Sequence, residues 1–288
     1  MKRFRHLMLA FLLVTASAHA IVIRSGVPDS RYRVPDNALP ALADLPFEGH
    51  GTLIAKRWVL TAAHAVQMML AMSEHRYVTI AGKRRAVARI IVYPDFPNSW
   101  TQWNHLLEKM KTDNPAAWMA DFASYRTAMH DIALLELAKP VEDVEPVKLY
   151  LRPDELGHVV EIFGKGATGN SLTGVAPDAP HRTQLRRAYN RIVAANNQWL
   201  YYTFDCGSAL PLEGITASGD SGGPVLIEDH GTWKLAGVAQ GLNGTKSDLL
   251  AMRAGTFRLG VCGQEASSTR VSFYVRWIED TIKSSHGV

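Results

Sequence analysis

Three side chains spread along the sequence could together carry out acyl transfer. Ser221 stands in Gly219-Asp220-Ser221-Gly222-Gly223-Pro224, a hydroxyl between glycines. Glycines there let backbone N–H groups approach a reacting carbonyl, because no side chain obstructs the path. His64 ends the run Trp58-Val59-Leu60-Thr61-Ala62-Ala63-His64, and Asp131 stands near the start of His130-Asp131-Ile132-Ala133-Leu134-Leu135. Each signal alone is ambiguous. A histidine after an apolar strand is more often structural, an aspartate before a strand is usually a turn residue, and a Gly-Ser-Gly stretch is usually a loop. Together they supply a hydroxyl nucleophile, an imidazole base and a carboxylate to orient that base. Asp220, directly before the serine, asks for a cation.

The elements that must position these residues read mainly as short strands. Stretches 51–56, 58–61, 77–81, 86–93, 132–137, 159–163, 199–204, 224–227 and 233–239 are β-branched or apolar and are broken by turn residues. Many short strands with Gly/Pro-rich turns imply barrels or a sandwich. Two segments have helical period instead. In 274–284, Tyr274, Trp277, Ile278 and Ile282 share one face. In 99–129, Trp100, Trp103, Leu107 and Met110 form one stripe, and Trp118, Phe122, Tyr125 and Met129 a second. Asn114-Pro115 between them reads as a cap followed by proline at the first helical position. The object is a helical hairpin inserted between strands. Its aromatics either pack it onto the barrel, the favoured reading, or wall a substrate site.

The first twenty of the 288 residues read as a signal peptide. Lys2, Arg3 and Arg5 precede an apolar run over 7–14, too short to span a bilayer, and Ala18-His19-Ala20 fits a cleavage site. Those three cations account for most of the formal net charge of +4, so the mature chain from Ile21 is near neutral. Nothing argues for nucleic acid or a membrane surface as partner. No later run is long enough to cross a membrane, and the expected product is exported, extracellular or periplasmic. Cys206 and Cys262 are the only cysteines. In an exported protein they read first as a disulfide. No spacing suits structural zinc or calcium, and no cofactor is expected.

With these motifs in the order His64, Asp131, Ser221, the chain resembles the chymotrypsin/trypsin-like serine proteases, from Gly51-Thr52-Leu53-Ile54 to Thr269-Arg270-Val271 and the final helix. The resemblance implies an all-β fold of two antiparallel six-stranded barrels with the active site between them, a C-terminal helix, and 99–129 as an insertion. It implies an N-terminal barrel over 21–148 carrying His64 and Asp131, and a C-terminal barrel over 149–288 carrying Ser221. The activity implied is a secreted serine endopeptidase acting on protein or peptide substrates, with Ser221 as nucleophile, His64 as base, Asp131 as its orienting group and the Gly219 and Ser221 amides as oxyanion hole. Gly164-Lys165-Gly166 matches a family turn with lysine in place of an aromatic residue. The resemblance further implies that the Ile21 ammonium, freed by cleavage, pairs with Asp220. Ile21-Val22 opens the mature chain, and His64 is its 44th residue, so signal removal and activation would be one event.

Departures from the family sharpen other expectations. The positions of the family's disulfide around the catalytic histidine are Gly49 and Ala65, and Ala217 replaces a usual cysteine. A Cys206–Cys262 pair would be non-standard and would tie two walls of the primary pocket. Ile215 stands where trypsin-like specificity needs an aspartate, so an uncharged apolar residue before the cleaved bond is expected; a two-residue shift would put Glu213 there instead. Ala239, Gln240 and Gly241 match the strand that pairs with substrate backbone. A monomer is expected, with a protein inhibitor as a possible partner. Few cysteines and the short leader suggest a bacterial source. The alternative is a non-catalytic binding protein on the same fold, which the complete set His64, Asp131, Ser221 disfavours. An esterase would show its histidine after the serine.

Overall fold

The computed structural model describes residues 21–96, 99–207 and 210–285. The expected signal peptide lies outside these described residues. Six antiparallel strands close into a barrel in the order Leu42–Asp44, His50–Ala55, Trp58–Thr61, Ala133–Leu137, Lys83–Val92 and Tyr77–Ile80, and Ala43 opposite Ile80 closes the ring. Successive side chains along each strand face opposite ways. Leu53, Val59, Val78, Ile80, Leu135 and Leu137 turn inward and are fully buried, and closure leaves no free edge.

The second half is the expected second barrel, with one strand more than the six expected. It is a curled sheet of seven strands in the order Arg186–Arg191, Val159–Gly164, Pro224–Asp229, Thr232–Leu242, Glu265–Arg270, Trp199–Thr203 and Ala194–Asn196. A small separate sheet packs against it. There Ile21–Ile23 lies between Thr168–Asn170, which it meets parallel, and Gly214–Ile215, which it meets antiparallel. Segments 168–170 and 214–215 are thus engaged by the N-terminal strand.

The insertion forms the expected hairpin, Ser99–Thr112 and Pro115–Ala128. The Asn114 side chain accepts the Ala117 N–H at 2.9 Å, and Pro115 fills the first helical position, where its missing N–H costs nothing. Trp118 donates its indole N–H to the Leu106 carbonyl at 2.6 Å and stacks on Phe122. The hairpin docks on a helix that the sequence reading missed, Lys246–Arg253, through Leu249 and a hydrogen bond from Arg253 to the Asp113 carbonyl. The final helix, Val271–Ser284, begins earlier than 274. It returns to the first barrel, where the Tyr274 hydroxyl meets His130 Nδ1 at 2.7 Å. Cys206 and Cys262 form a disulfide across 56 residues. A loop of that length implies about 4 kcal/mol of stabilisation through the unfolded chain.

Candidate active site

Strand pairing brings His64 and Asp131 together. Trp58–Thr61 runs antiparallel to Ala133–Leu137 with Thr61 opposite Ala133, so the residues just past one strand end and just before the other strand start must meet. The Asp131 Oδ1 accepts the His64 backbone N–H at 2.9 Å, and Oδ2 accepts Nδ1 at 2.6 Å. The proton is therefore on Nδ1, and the Nε2 lone pair is left free to act as base. Asp131 is fully buried, and its backbone carbonyl accepts the Thr269 hydroxyl at 2.7 Å from the second sheet. Burial pushes the Asp131 carboxyl upward, but the charge and hydrogen bonds of His64, with Arg126 behind it, hold it below its ordinary value. Burial likewise presses His64 downward, and the Asp131 carboxylate outweighs it, so the imidazole is raised.

Ser221 is seated against the first barrel through its turn: its carbonyl accepts the His50 N–H at 2.7 Å. Gly222 has φ 78°, and a Cβ there would lie 2.1 Å from the His50 carbonyl and 2.3 Å from the Thr61 hydroxyl, so only glycine fits. Gly219 has φ 87°. Neither its N–H nor that of Ser221 donates to any group among the described residues, which leaves both available to a ligand.

The carboxylate of Asp220 is fully buried and accepts N–H groups from Gly166 at 2.8 Å, from Ala217 at 2.9 Å and from Ile21. Burial nevertheless raises its carboxyl above the ordinary range. A Cβ on Gly164 or Gly166 would fall 2.0 Å or 2.7 Å from Asp220 Oδ1, which explains both glycines of Gly164-Lys165-Gly166. Ile21 has φ 59°, a region that β-branched residues avoid. The lysine of that turn joins a cluster the sequence did not signal. His50 is fully buried, with Nε2 accepting the Lys165 N–H at 3.1 Å and Nδ1 3.1 Å from Asp44 Oδ1; Lys165 Nζ lies 2.9 Å from Asp44 Oδ2. Burial acts upward on Asp44, yet His50 and Lys165 hold it at about 2. Gly49 and Ala65 face each other: a Cβ on Gly49 would lie 3.3 Å from that of Ala65.

Two cavities lie along the cleft, one at Ser221 and one at His64. One of about 330 Å³ at Ser221 is lined by Thr216, Ala217, Leu242, Phe257 and Leu259 among others. Ile215 is fully buried behind it, and the lining begins at Thr216. Glu213 is turned elsewhere: its carboxylate accepts the N–H groups of Asp205 and Leu210. Gln240 and Gly241 border this cavity, while the N–H and carbonyl of Ala239 are bound to Gly223 and Gly222. The second cavity, about 230 Å³, joins His64 to Trp103, Phe122, Tyr125, Arg126 and Met129 of the insertion and to Gln240. The aromatics of the hairpin therefore do both jobs weighed for them. Trp118 and Phe122 form its core, and together with Trp103 they wall the cleft.

Comparison with known proteins agrees with this arrangement. The family model described as Trypsin matches residues 30–251. A snake venom serine protease, KN6 of Trimeresurus stejnegeri, is 28% identical over 263 residues, covering 84% of this chain and 80% of the relative. Glandular kallikrein of Sus scrofa is 27% identical over 241 residues, covering 82% of this chain and 86% of the relative. The solved structure of neuropsin, a serine protease expressed in the limbic system of mouse brain, superposes with a TM-score of 0.59 at 19% identity, over 87% of this chain and 98% of neuropsin. That likeness supports the fold alone. None of these relatives is bacterial, so the suggested bacterial source gains no support. A family match over most of the chain, with relatives named as serine proteases along nearly its whole length, makes it a member of the trypsin family and a serine endopeptidase that hydrolyses protein or peptide substrates.

Proposed function

We propose that Ser221, His64 and Asp131 carry the peptide hydrolysis. Ser221 Oγ attacks the scissile carbonyl while His64 Nε2 takes its proton, and the carbonyl oxygen moves into the Gly219 and Ser221 N–H groups. His64 then returns the proton to the leaving amine, and water releases the acyl group by the same steps in reverse. The observation that carries this reading is the two-point hold of Asp131 on His64, through the backbone N–H and Nδ1. It fixes both the tautomer and the ring direction.

The residue before the cleaved bond is uncharged and apolar on this reading, since the cavity at Ser221 offers Ala217, Leu242, Phe257 and Leu259 and no carboxylate. The enzyme is exported, loses 1–20, and acts as a monomer, with 21–148 and 149–288 as its halves and a protein inhibitor as a natural blocker of the cleft. No helix among the described residues is long and apolar enough to cross a membrane, in keeping with export. Cleavage before Ile21 activates it: a free ammonium replaces the amide at Asp220, and the carbonyl that makes φ 59° costly for isoleucine is gone. Cleavage-site profiling of protein verified to begin at Ile21 tests this. Cuts after small or medium apolar residues are expected, and a strong Lys/Arg preference would overturn the pocket assignment.

A further inference from the structure

Arg126 is only 7% exposed, on the helix that walls the cavity at His64. It makes no ion pair among the described residues. Its guanidinium lies 3.9 Å above the Trp199 ring, and Nη1 donates to Gln240 Oε1 at 2.6 Å. Nε and Nη2 are buried with no well-formed hydrogen bond; the Tyr201 hydroxyl, a neutral neighbour, is the group that interacts with the guanidinium beside Gln240. Asp131 is close enough to feel this charge, but both its oxygens are committed to His64. An arginine buried without a counter-ion is costly, and the cost falls when an anion arrives.

The place for that anion is already outlined. The Ser267 hydroxyl, fully buried, donates to the same Gln240 Oε1 at 2.9 Å. Two donors on different elements, one of them charged, thus converge on a single neutral amide oxygen. Gln240 is itself only half-buried and borders both cavities, so its side chain can swing out and expose the pair. When a carboxylate replaces the amide oxygen, the Ser267 bond, neutral on both sides at rest, becomes charge-assisted, and Arg126 gains a counter-ion.

We propose that Arg126 and Ser267 form a carboxylate-binding subsite beside His64, held at rest by the Gln240 amide, that selects peptide substrates with Glu or Asp a few residues before the scissile bond. The inference rests on the proteolytic reading above. Gln240 sits on the strand expected to pair with substrate backbone, and the cavity abuts His64, so a side chain entering it belongs to the part of the substrate N-terminal to the cut. The apolar side chains of Trp103, Phe122 and Met129 lower the local dielectric, which strengthens the pairing.

Matched peptides that differ only as Glu against Gln, and Asp against Asn, at each of these positions test the subsite with the mature enzyme. At one position kcat/KM should favour Glu at least tenfold, mainly through KM. Arg126→Gln should bring that ratio close to one, Arg126→Lys should keep part of it, and Gln240→Ala should raise it. A ratio near one at every position in the unmodified enzyme overturns the proposal, as does a ratio untouched by Arg126→Gln. Should Arg126→Gln fail to fold, Gln240→Ala decides: a ratio unmoved by it also overturns the proposal. Equal cleavage of both peptides, with Ser221 still labelled by a serine-reactive probe, removes the subsite alone. No cleavage and no labelling removes the proteolytic reading and the subsite with it.

Discussion

Retaining one residue before Ile21 should silence the enzyme. Asp220 is fully buried and is reached by three N–H groups, one of them from Ile21. In the extended chain that group is a neutral amide, and burial leaves the Asp220 carboxyl above its ordinary range. Cleavage turns the amide into an ammonium at hydrogen-bond distance. With an effective dielectric of about 20 and about 3 Å between charges, the attraction gained is roughly 5–6 kcal/mol before desolvation. Losing one partner of such a buried pair costs about 3–5 kcal/mol. At about 1.4 kcal/mol per decade, kcat/KM should fall by about a hundredfold to several thousandfold if the pair holds Gly219 and Ser221 in their donating geometry. The assay compares kcat/KM for protein verified to begin at Ile21 with protein carrying an extra alanine. pH provides a second reading. The α-amino group ordinarily titrates near about 7.7–8.0, and pairing raises it. Its contribution is therefore complete below that ordinary value and is lost as pH rises through the raised one, giving an alkaline loss of activity in the mature enzyme. Equal kcat/KM for the two forms would refute the reasoning.

Other outcomes follow from the same geometry. Asp131→Asn should lower kcat by about four orders of magnitude, as tautomer loss does in the family's triad, with the fold intact by circular dichroism. The base must be neutral, and Asp131 raises His64, so the acid limb of kcat/KM should lie above the ordinary imidazole value and move down in Asp131→Asn. Gly222→Ala forces a Cβ to within 2.1 Å of the His50 carbonyl at positive φ, and should lower both activity and thermal midpoint. Replacing Cys206 and Cys262 by serine should cost about 4 kcal/mol, visible as a drop of the order of 10 °C in melting temperature.

Much of the first half was legible because its strands are β-branched or apolar runs broken by turn residues and its cap is local: Trp58–Thr61 and the Asn114-Pro115 start of the second hairpin helix are found as read. The second half hid more. Glu265–Arg270 reads Glu-Ala-Ser-Ser-Thr-Arg and carries no hydrophobic alternation, yet it is central and buried. Two of its three hydroxyls are spent on the site: Ser267 on Gln240, Thr269 on the Asp131 carbonyl. The helix Lys246–Arg253 did leave a signal, Thr245 with Asp248 three residues on as a capping box. Arg126 and His50 left none, because a lone cation or imidazole becomes informative only when folding strips away its water and shows which partners it has.

The most direct test of the nucleophile is the intact mass of the mature protein after treatment with a fluorophosphonate. One adduct is expected, mapped to Ser221, absent in Ser221→Ala and strongly slowed in His64→Ala. No adduct on protein that begins at Ile21, or an adduct that persists in Ser221→Ala, would contradict the assignment.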